Sequence, residues 1–355
     1  MNNVVELTNV EVAYGSILAV RGATFAVAER EIFALLGPSG CGKTSLLRAI
    51  AGFERPRRGS IRIGDTDVVS EGRWVQPEKR SVGMVFQEGA LFPHLTLWEN
   101  ARYGVKREAR GEEQAREALN LVGLLPLKDR YPHELSGGQQ QRAALARAIA
   151  PRPKVVLLDE PFASLDPALR RRIRDDLREI LHAARMTAIL VTHDQEEALD
   201  LADRVAMMDR GRILQVGTPA EIYDSPARAE VAMFVGEGEC LSCRIGTEIL
   251  ESLLGPAARE LEGDAKLFIR PEDLEVAEEG DPRSVPAVVE TVRFFGHDVL
   301  HSIRLEGADC RLPFRTMGTA ALRRGSTLRI RLRSGRYGVF IGSDESQVRR
   351  EIEVG

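Results

Sequence analysis

The segment Gly37-Pro-Ser-Gly-Cys-Gly-Lys-Thr44 has the pattern G-x-x-x-x-G-K-[ST]. Glycines in such a loop let the backbone curl until successive N–H groups point inward at a phosphate chain. A helix beginning near Lys43 adds the positive end of its dipole. The Lys43 ammonium could reach the β- and γ-phosphates of a nucleotide, and the Thr44 hydroxyl is placed to ligate Mg²⁺. Gly37, Pro38, Ser39, Gly40, Cys41, Gly42, Lys43, Thr44 and Ser45 are therefore candidate nucleotide-binding residues. Asp159 and Glu160 follow an apolar run, Val155–Leu158. At the end of a strand beside the phosphate loop, Asp159 could hold hydrated Mg²⁺. Glu160 could take a proton from an attacking water. Two acids at a strand end also serve as an ordinary helix cap; the phosphate loop favours the chemical role.

These groups need a scaffold. Residues 1–30 alternate apolar and polar, as antiparallel strands do. Glu31–Leu36 is a compact apolar run ending at Gly37, and Thr44–Ala51 has a helical pattern closed by Gly52. Arg80–Gln87, Lys154–Leu158 and Thr187–Thr192 read as strands, and residues 111–124 as a helix with Ala115, Ala118, Leu119 and Val122 on one face. The βα alternation predicts an α/β fold with a mostly parallel sheet. Near Gly236 the texture changes to short runs broken by Gly, Pro and Asp, which reads as a small β domain. The expected division is residues 1–235 and 236–355.

Four further segments resemble the ATP-binding cassette (ABC) ATPases in order and spacing. Leu135-Ser-Gly-Gly-Gln139 is similar to their signature sequence, Gln87 to the Q-loop glutamine, Ser164-Leu-Asp166 to the D-loop, and Thr192-His193-Asp194 to the switch histidine. The resemblance covers residues 4–235. It implies a P-loop cassette with a helical subdomain, and a head-to-tail homodimer. ATP would lie between the P-loop of one chain and Ser136, Gly137, Gly138 and Gln139 of the other, with Asp166 nearby. Gln87, Glu160, His193 and Lys43 are then expected to be catalytic, and Thr44, Gln87 and Asp159 to hold Mg²⁺. Tyr14 lies where the family stacks an aromatic on adenine; otherwise it is a plain strand-end tyrosine.

Leu267-Phe-Ile-Arg-Pro-Glu-Asp-Leu274 resembles the start of the OB-like C-terminal barrel (TOBE) of importer ATPases. Within that class, Gln87-Glu-Gly-Ala-Leu-Phe-Pro-His-Leu-Thr96 is most similar to the ferric-iron branch; polyamine, sulfate and sugar importers are the alternatives. The resemblance implies integral membrane permease subunits as partners, and indirectly a periplasmic or lipid-anchored solute-binding protein. It implies a peripheral position on the cytoplasmic face of the inner membrane. The apolar segment Glu88-Gly-Ala-Leu-Phe-Pro-His-Leu-Thr-Leu-Trp98 reads as a groove for a permease helix, against a reading as local core.

Composition sets the limits. The net charge is −4, from 49 basic and 53 acidic residues, which argues against a nucleic-acid binder. No apolar run approaches the roughly 20 residues a membrane span needs, and no secretory signal is expected. Cys240-Leu-Ser-Cys243 could be half a zinc site or a redox pair, but reduced cytosolic thiols are the favoured reading. Arg329, Arg331 and Arg333 fall on one strand face, read as solvated rather than as an oxyanion or oligonucleotide site. Rival functions are a soluble ABC ATPase of repair or translation and a nucleotide-gated regulatory module. The former usually carries two cassettes or a long coiled-coil insertion.

Overall fold

Ile32–Leu36 is buried at every position, so it has no polar side to offer water and must be covered on both faces. In the computed structural model it is an inner strand of a six-stranded sheet. The structure describes residues 2–87, 90–106, 108–163, 166–242, 247–255, 258, 266–307, 310–318, 322–341 and 348–354. The chain forms two compact units that divide after Ala220.

In chain order the first unit runs β1 (Asn3–Tyr14), β2 (Ile17–Ala28), β3 (Ile32–Leu36), α1 (Lys43–Ala51), β4 (Arg58–Ile63), β5 (Thr66–Ser70) and β6 (Arg73–Trp74). Then come β7 (Val82–Val85), α2 (Leu97–Arg102), α3 (Ala109–Leu121), α4 (Gly137–Ile149), β8 (Val155–Asp159) and α5 (Pro167–Ala183). It closes with β9 (Ala188–Thr192), α6 (Gln195–Leu201), β10 (Arg204–Asp209) and β11 (Arg212–Gly217). The large sheet has the order β11-β10-β3-β9-β8-β7 and is parallel except for the edge strand β11. A second sheet, β2-β1-β4-β5-β6, is antiparallel.

Strand alternation builds two cores from the parallel strands. Phe33, Leu35, Val155, Leu157, Ile189 and Val191 face α1 and the antiparallel sheet. Ile32, Val156, Leu158, Ala188 and Leu190 face the other way, onto α4 and α5. Helix α1 is thus wedged between two sheets, with Leu46, Leu47, Ala49 and Ile50 fully buried.

The far end of α1 is held by Arg80, which is 2% exposed. Its Nη1 donates to the Ala49 and Ile50 carbonyls at 2.7 and 3.0 Å, and its Nε to the Val75 carbonyl at 2.8 Å. The Trp74 ring lies 6.0 Å from the guanidinium carbon. The last carbonyls of a helix have no partner within it and carry negative partial charge, so a buried cation is favourable there. Burial draws the Arg80 pKa down to about 10, leaving it charged at neutral pH. Arg80→Met should strip these carbonyls of their donor and lower stability by about 2–4 kcal/mol. Urea unfolding of both proteins with an unchanged m-value checks this.

The second unit contains α7 from Glu221 onward (Pro219–Asp224 in full), α8 (Ala229–Phe234), β12 (Glu239–Ser242), α9 (Thr247–Leu254), β13 (Lys266–Ile269) and β14 (Leu274–Val276). It continues with β15 (Val285–Phe294), β16 (Asp298–Leu305), β17 (Arg311–Met317), β18 (Thr327–Leu332), β19 (Gly335–Ile341) and β20 (Val348–Val354). Two antiparallel sheets result, β12-β13-β19-β20 and β14-β18-β15-β16-β17. The edges β14 and β17 of the second approach each other, so that sheet nearly closes into a barrel. Leu253 and Leu254 of α9 join the barrel core beside Ile303, Leu305 and Ile330, a helix that the run-and-break texture did not reveal.

The units divide before the expected Gly236 boundary. The reason is α8, whose Ala229 and Ala232 bury against Phe268 and Phe340 of the strands. The arginine face of β18 is not an open anion site. Arg331 donates to Glu275 at 2.7 Å and to Asp281 at 2.8 Å, Arg329 donates to Ser284, and Arg333 lies 3.9 Å from Glu275. Burial pushes the Cys240 thiol up to about 11, so it is protonated at neutral pH. Cys243 lies outside the described residues, as do Glu88 and Gly89.

Candidate functional site

The register of the parallel sheet brings the predicted groups to one edge. Leu36 pairs with Thr192, Val191 with Asp159, and Leu158 with Val85. The chain beyond β3 is the phosphate loop, beyond β9 it is His193, beyond β8 Glu160, and beyond β7 Gln87. Four adjacent strands therefore release their candidate residues at the same carboxyl edge, where open α/β sheets bind ligands.

The loop is gripped from outside. The Cys41 carbonyl accepts from the Gly211 N–H at 2.9 Å, in the β10–β11 turn. Gly42 has φ 106°, and a Cβ there would lie 2.3 Å from the Ala19 carbonyl oxygen. A Cβ on Gly37 would meet the Met208 carbonyl oxygen at 2.0 Å. Helix α1 begins at Lys43, so the Lys43, Thr44 and Ser45 amides form its N-terminus. The Lys43 ammonium, 4% exposed, donates back to the Gly37 and Pro38 carbonyls at 2.7 and 2.9 Å. This keeps the charge inside the loop. The Tyr14 hydroxyl is 3.3 Å from Ser45 Oγ, which brings the half-exposed ring of Tyr14 to the start of α1. Ser39 and Gly40 are exposed, with Gly40 at φ 79°.

Thr44 Oγ1 donates to Asp159 Oδ1 at 3.1 Å. The Asp159 carboxylate is 7% exposed, and burial pushes its pKa up against the opposing effect of the Thr44 bond. Two oxygen ligands, one of them a carboxylate kept from water, suit a hard divalent cation, whose charge would offset the burial cost. Glu160 has φ 45°, in the left-handed region where only glycine is at ease. Its N–H still bonds the Val191 carbonyl at 3.0 Å, so the chain turns sharply while anchored to β9. The turn sets Glu160 Oε2 at 3.3 Å from His193 Nδ1. A carboxylate and an imidazole thus meet beside the Thr44–Asp159 pair.

Gln87 lies exposed beyond β7, and no hydrogen bond among the described residues joins it to Thr44 or Asp159. Ser136 caps α4: its hydroxyl accepts from the Gln139 N–H, and the Gln139 side chain accepts from the Ser136 N–H at 2.9 Å. The Ser136 O–H and the first α4 amides remain able to donate outward. A Cβ on Gly138 would come within 2.3 Å of Ile173 Cδ1 on α5, so this glycine lets α4 and α5 approach. Asp166 caps α5, accepting from the Leu169 N–H at 3.1 Å; Ser164 and Leu165 lie outside the described residues.

Sequence reasoning named Thr192 and Asp194 only as neighbours of His193 and missed Glu197 behind them. Thr192 Oγ1 accepts from the Asp194 N–H at 3.0 Å and donates to Glu197. Asp194 Oδ1 caps α6 through the Glu196 and Glu197 N–H groups. Burial raises the pKa of Glu197, which is 4% exposed. The Asp-x-x-Glu spacing at a helix start was an available signal. Ala19, Met208 and Gly211, which wall the phosphate loop, had no sequence signal, because backbone atoms make their contacts.

Comparison with known proteins agrees with this geometry. Residues 20–163 match the ABC transporter family model, and residues 267–340 the TOBE domain model. The chain is 43% identical over 340 residues to the Fe(3+) ions import ATP-binding protein FbpC 2 of Rhodococcus jostii, covering 94% of this chain and 97% of the relative. It is 41% identical over 350 residues to the sulfate/thiosulfate import ATP-binding protein CysA of Bradyrhizobium diazoefficiens, covering 95% and 99%. The dimeric ATP-binding cassette MJ0796 bound to ADP and Pi superposes with a TM-score of 0.52 at 29% identity, covering 61% of this chain and 98% of that one. The chain belongs to the ABC transporter family. The match to that family's ATP-hydrolysing cassette falls within the first unit, and the TOBE match within the second.

Gly42→Ala should push the loop off the Ala19 carbonyl, and ATP affinity should fall by at least about tenfold with the fold retained. Fluorescent-nucleotide titration beside a circular dichroism spectrum checks it.

Proposed function

We propose that this chain is the ATPase subunit of a bacterial importer and that ferric iron is its cargo. The observation that carries the catalytic part is the pairing of Thr44 with Asp159, and of Glu160 with His193, at the edge that bears the phosphate loop. The phosphates lie along the 37–45 backbone, and Lys43 exchanges its loop carbonyls for β- and γ-phosphate oxygens. Tyr14 stacks on the adenine. Thr44 and Asp159, joined by Gln87, hold Mg²⁺, which when bound neutralises charge on the β- and γ-phosphates.

Glu160 orients the attacking water and accepts its proton. Its left-handed backbone aims the carboxylate while Asp159 keeps to the strand direction. His193 contacts the γ-phosphate, and its ring is steadied by Glu160. Ser136, Gly137, Gly138 and Gln139 present a helix N-terminus with outward amides, which suits the γ-phosphate of ATP held by a second copy. Asp166 lies at the same contact. ATP closes the head-to-tail pair, and hydrolysis reopens it.

No helix among the described residues is long and apolar enough to cross a membrane; separate permease subunits are the partners that import ATP-binding relatives point to. The half-buried Phe92 and exposed Tyr103, with rings 4.3 Å apart, offer a surface to them at the cytoplasmic side of the inner membrane. Leu91 and Trp98 instead pack on the core, so the segment serves both expectations. Identity to iron-import relatives over nearly the whole chain supports the cargo, delivered by a solute-binding protein outside. Sulfate import is the second reading.

Glu160→Gln should trap ATP-bound dimers with turnover reduced at least about 100-fold; near-normal phosphate release would remove Glu160 as base. Lys43→Ala should lose ATP binding, measured by calorimetry. Deletion of the gene should abolish growth on limiting ferric iron while growth on limiting sulfate or polyamine persists, and the converse would reassign the cargo.

A further inference from the structure

Helix α5 turns a row of arginines toward α6. Arg174 Nε lies 2.7 Å from Asp200 Oδ2, and Arg178 donates to the Asp200 carbonyl at 2.9 Å. These two hold the far end of α6. One turn earlier, Arg170 Nη1 donates to Asp194 Oδ2 at 3.4 Å, and its Nε lies 4.0 Å from Glu197 Oε1. Both acids belong to the segment that carries His193. Asp194 spends one oxygen on capping α6, and its other oxygen faces Arg170. Glu197 takes the Thr192 hydroxyl, which in turn fixes the Asp194 N–H. His193 sits between Thr192 and Asp194, with a ring about half exposed that meets Glu160. The backbone on either side, together with the Glu160 contact, therefore aims it. The Arg170 N–H also bonds the Asp166 carbonyl at 2.8 Å, within the first turn of α5.

We infer that Arg170 is a positioning residue for His193, holding the switch segment through Asp194 and Glu197 and tying it to the Asp166 turn. This rests on the reading of His193 as the γ-phosphate contact. A side chain held loosely by roughly an ångström can lose about 100-fold in rate, whereas the phosphate loop keeps its own grip through the Gly211 N–H and the Lys43 ammonium. Arg170 thus governs turnover rather than ATP affinity, and it passes displacement of the Asp166 turn to the switch.

The test uses the full-length chain with MgATP and phosphate release as the readout. Arg170→Met should lower kcat by about 10- to 100-fold with KM for ATP held within about threefold. Arg170→Lys, which keeps the charge without the planar fork, should restore part of the loss. Arg178→Met should leave kcat within about twofold, since it holds only the far end of α6. Asp194→Asn retains a capping oxygen but drops the charge that faces Arg170. It should reproduce the loss even if Arg170→Met does not fold. In a His193→Ala background, Arg170→Met should have no further effect.

A folded Arg170→Met or Asp194→Asn with full kcat would overturn the inference. So would an undiminished loss in the His193→Ala background, or a rise in KM with kcat unchanged. Full turnover by His193→Ala alone would instead remove the reading beneath it. Loss in His193→Ala beside full turnover in Arg170→Met removes only the inference.

Discussion

The hydrogen-bonded register of β3, β9, β8 and β7 is the constraint on which the nucleotide edge depends. Side chains in a strand alternate, so a slip of one residue would turn Asp159 into the core and Leu158 toward the phosphates. The register is held because both faces of these strands are buried, each against a different core. A slip would, for example, exchange Phe33 for Ala34 or Ile32 and so mismatch both cores. Catalytic geometry here is a by-product of apolar packing on two sides.

On that frame the buried Lys43, Arg80, Asp159 and Glu197 each have a hydrogen-bond partner. Lys43 is satisfied by loop carbonyls that a phosphate could replace, so its burial is tolerable in the protein alone. Arg80 faces no carboxylate in its hydrogen bonds; it relies on the negative end of α1, whose positive end faces the phosphate loop. One helix thus supports a buried cation at its end and anion binding at its start. Asp159 and Glu197 are both disfavoured as anions by burial, and a hydroxyl donates to each. Such groups respond strongly to a nearby cation.

The second unit follows a different logic. Its arginines on β18 are absorbed by Glu275, Asp281 and Ser284, which makes that face a structural network rather than a ligand surface. Arg270, in the segment Leu267–Leu274, is buried with its guanidinium 3.7 Å from the Tyr223 ring, and it donates to the Val235 and Tyr223 carbonyls. The sequence element that resembles importer barrels therefore pins α7 and α8 to the strands. This explains why the second unit begins before the Gly236 linker.

The identity and order of the chemical groups were legible in the sequence. The spacing of Gly37–Thr44, the acids after Val155–Leu158, and the elements β3, α1, β8 and β9 all follow from local pattern, because phosphate loops and doubly buried strands each demand particular residues at short range. Three things were not legible. One is the left-handed turn at Glu160, which pattern cannot reveal because a carboxylate residue has no preference for it. Another is the grip of Ala19, Met208 and Gly211 on the loop, made by backbone atoms that any residue carries. The last is the set of partners chosen by arginines. Composition shows many arginines, but only the packing of α5 on α6, of Arg80 under α1, and of β18 beside β14 decides which charge meets which, since those pairs are brought together by burial of apolar faces elsewhere on the same elements.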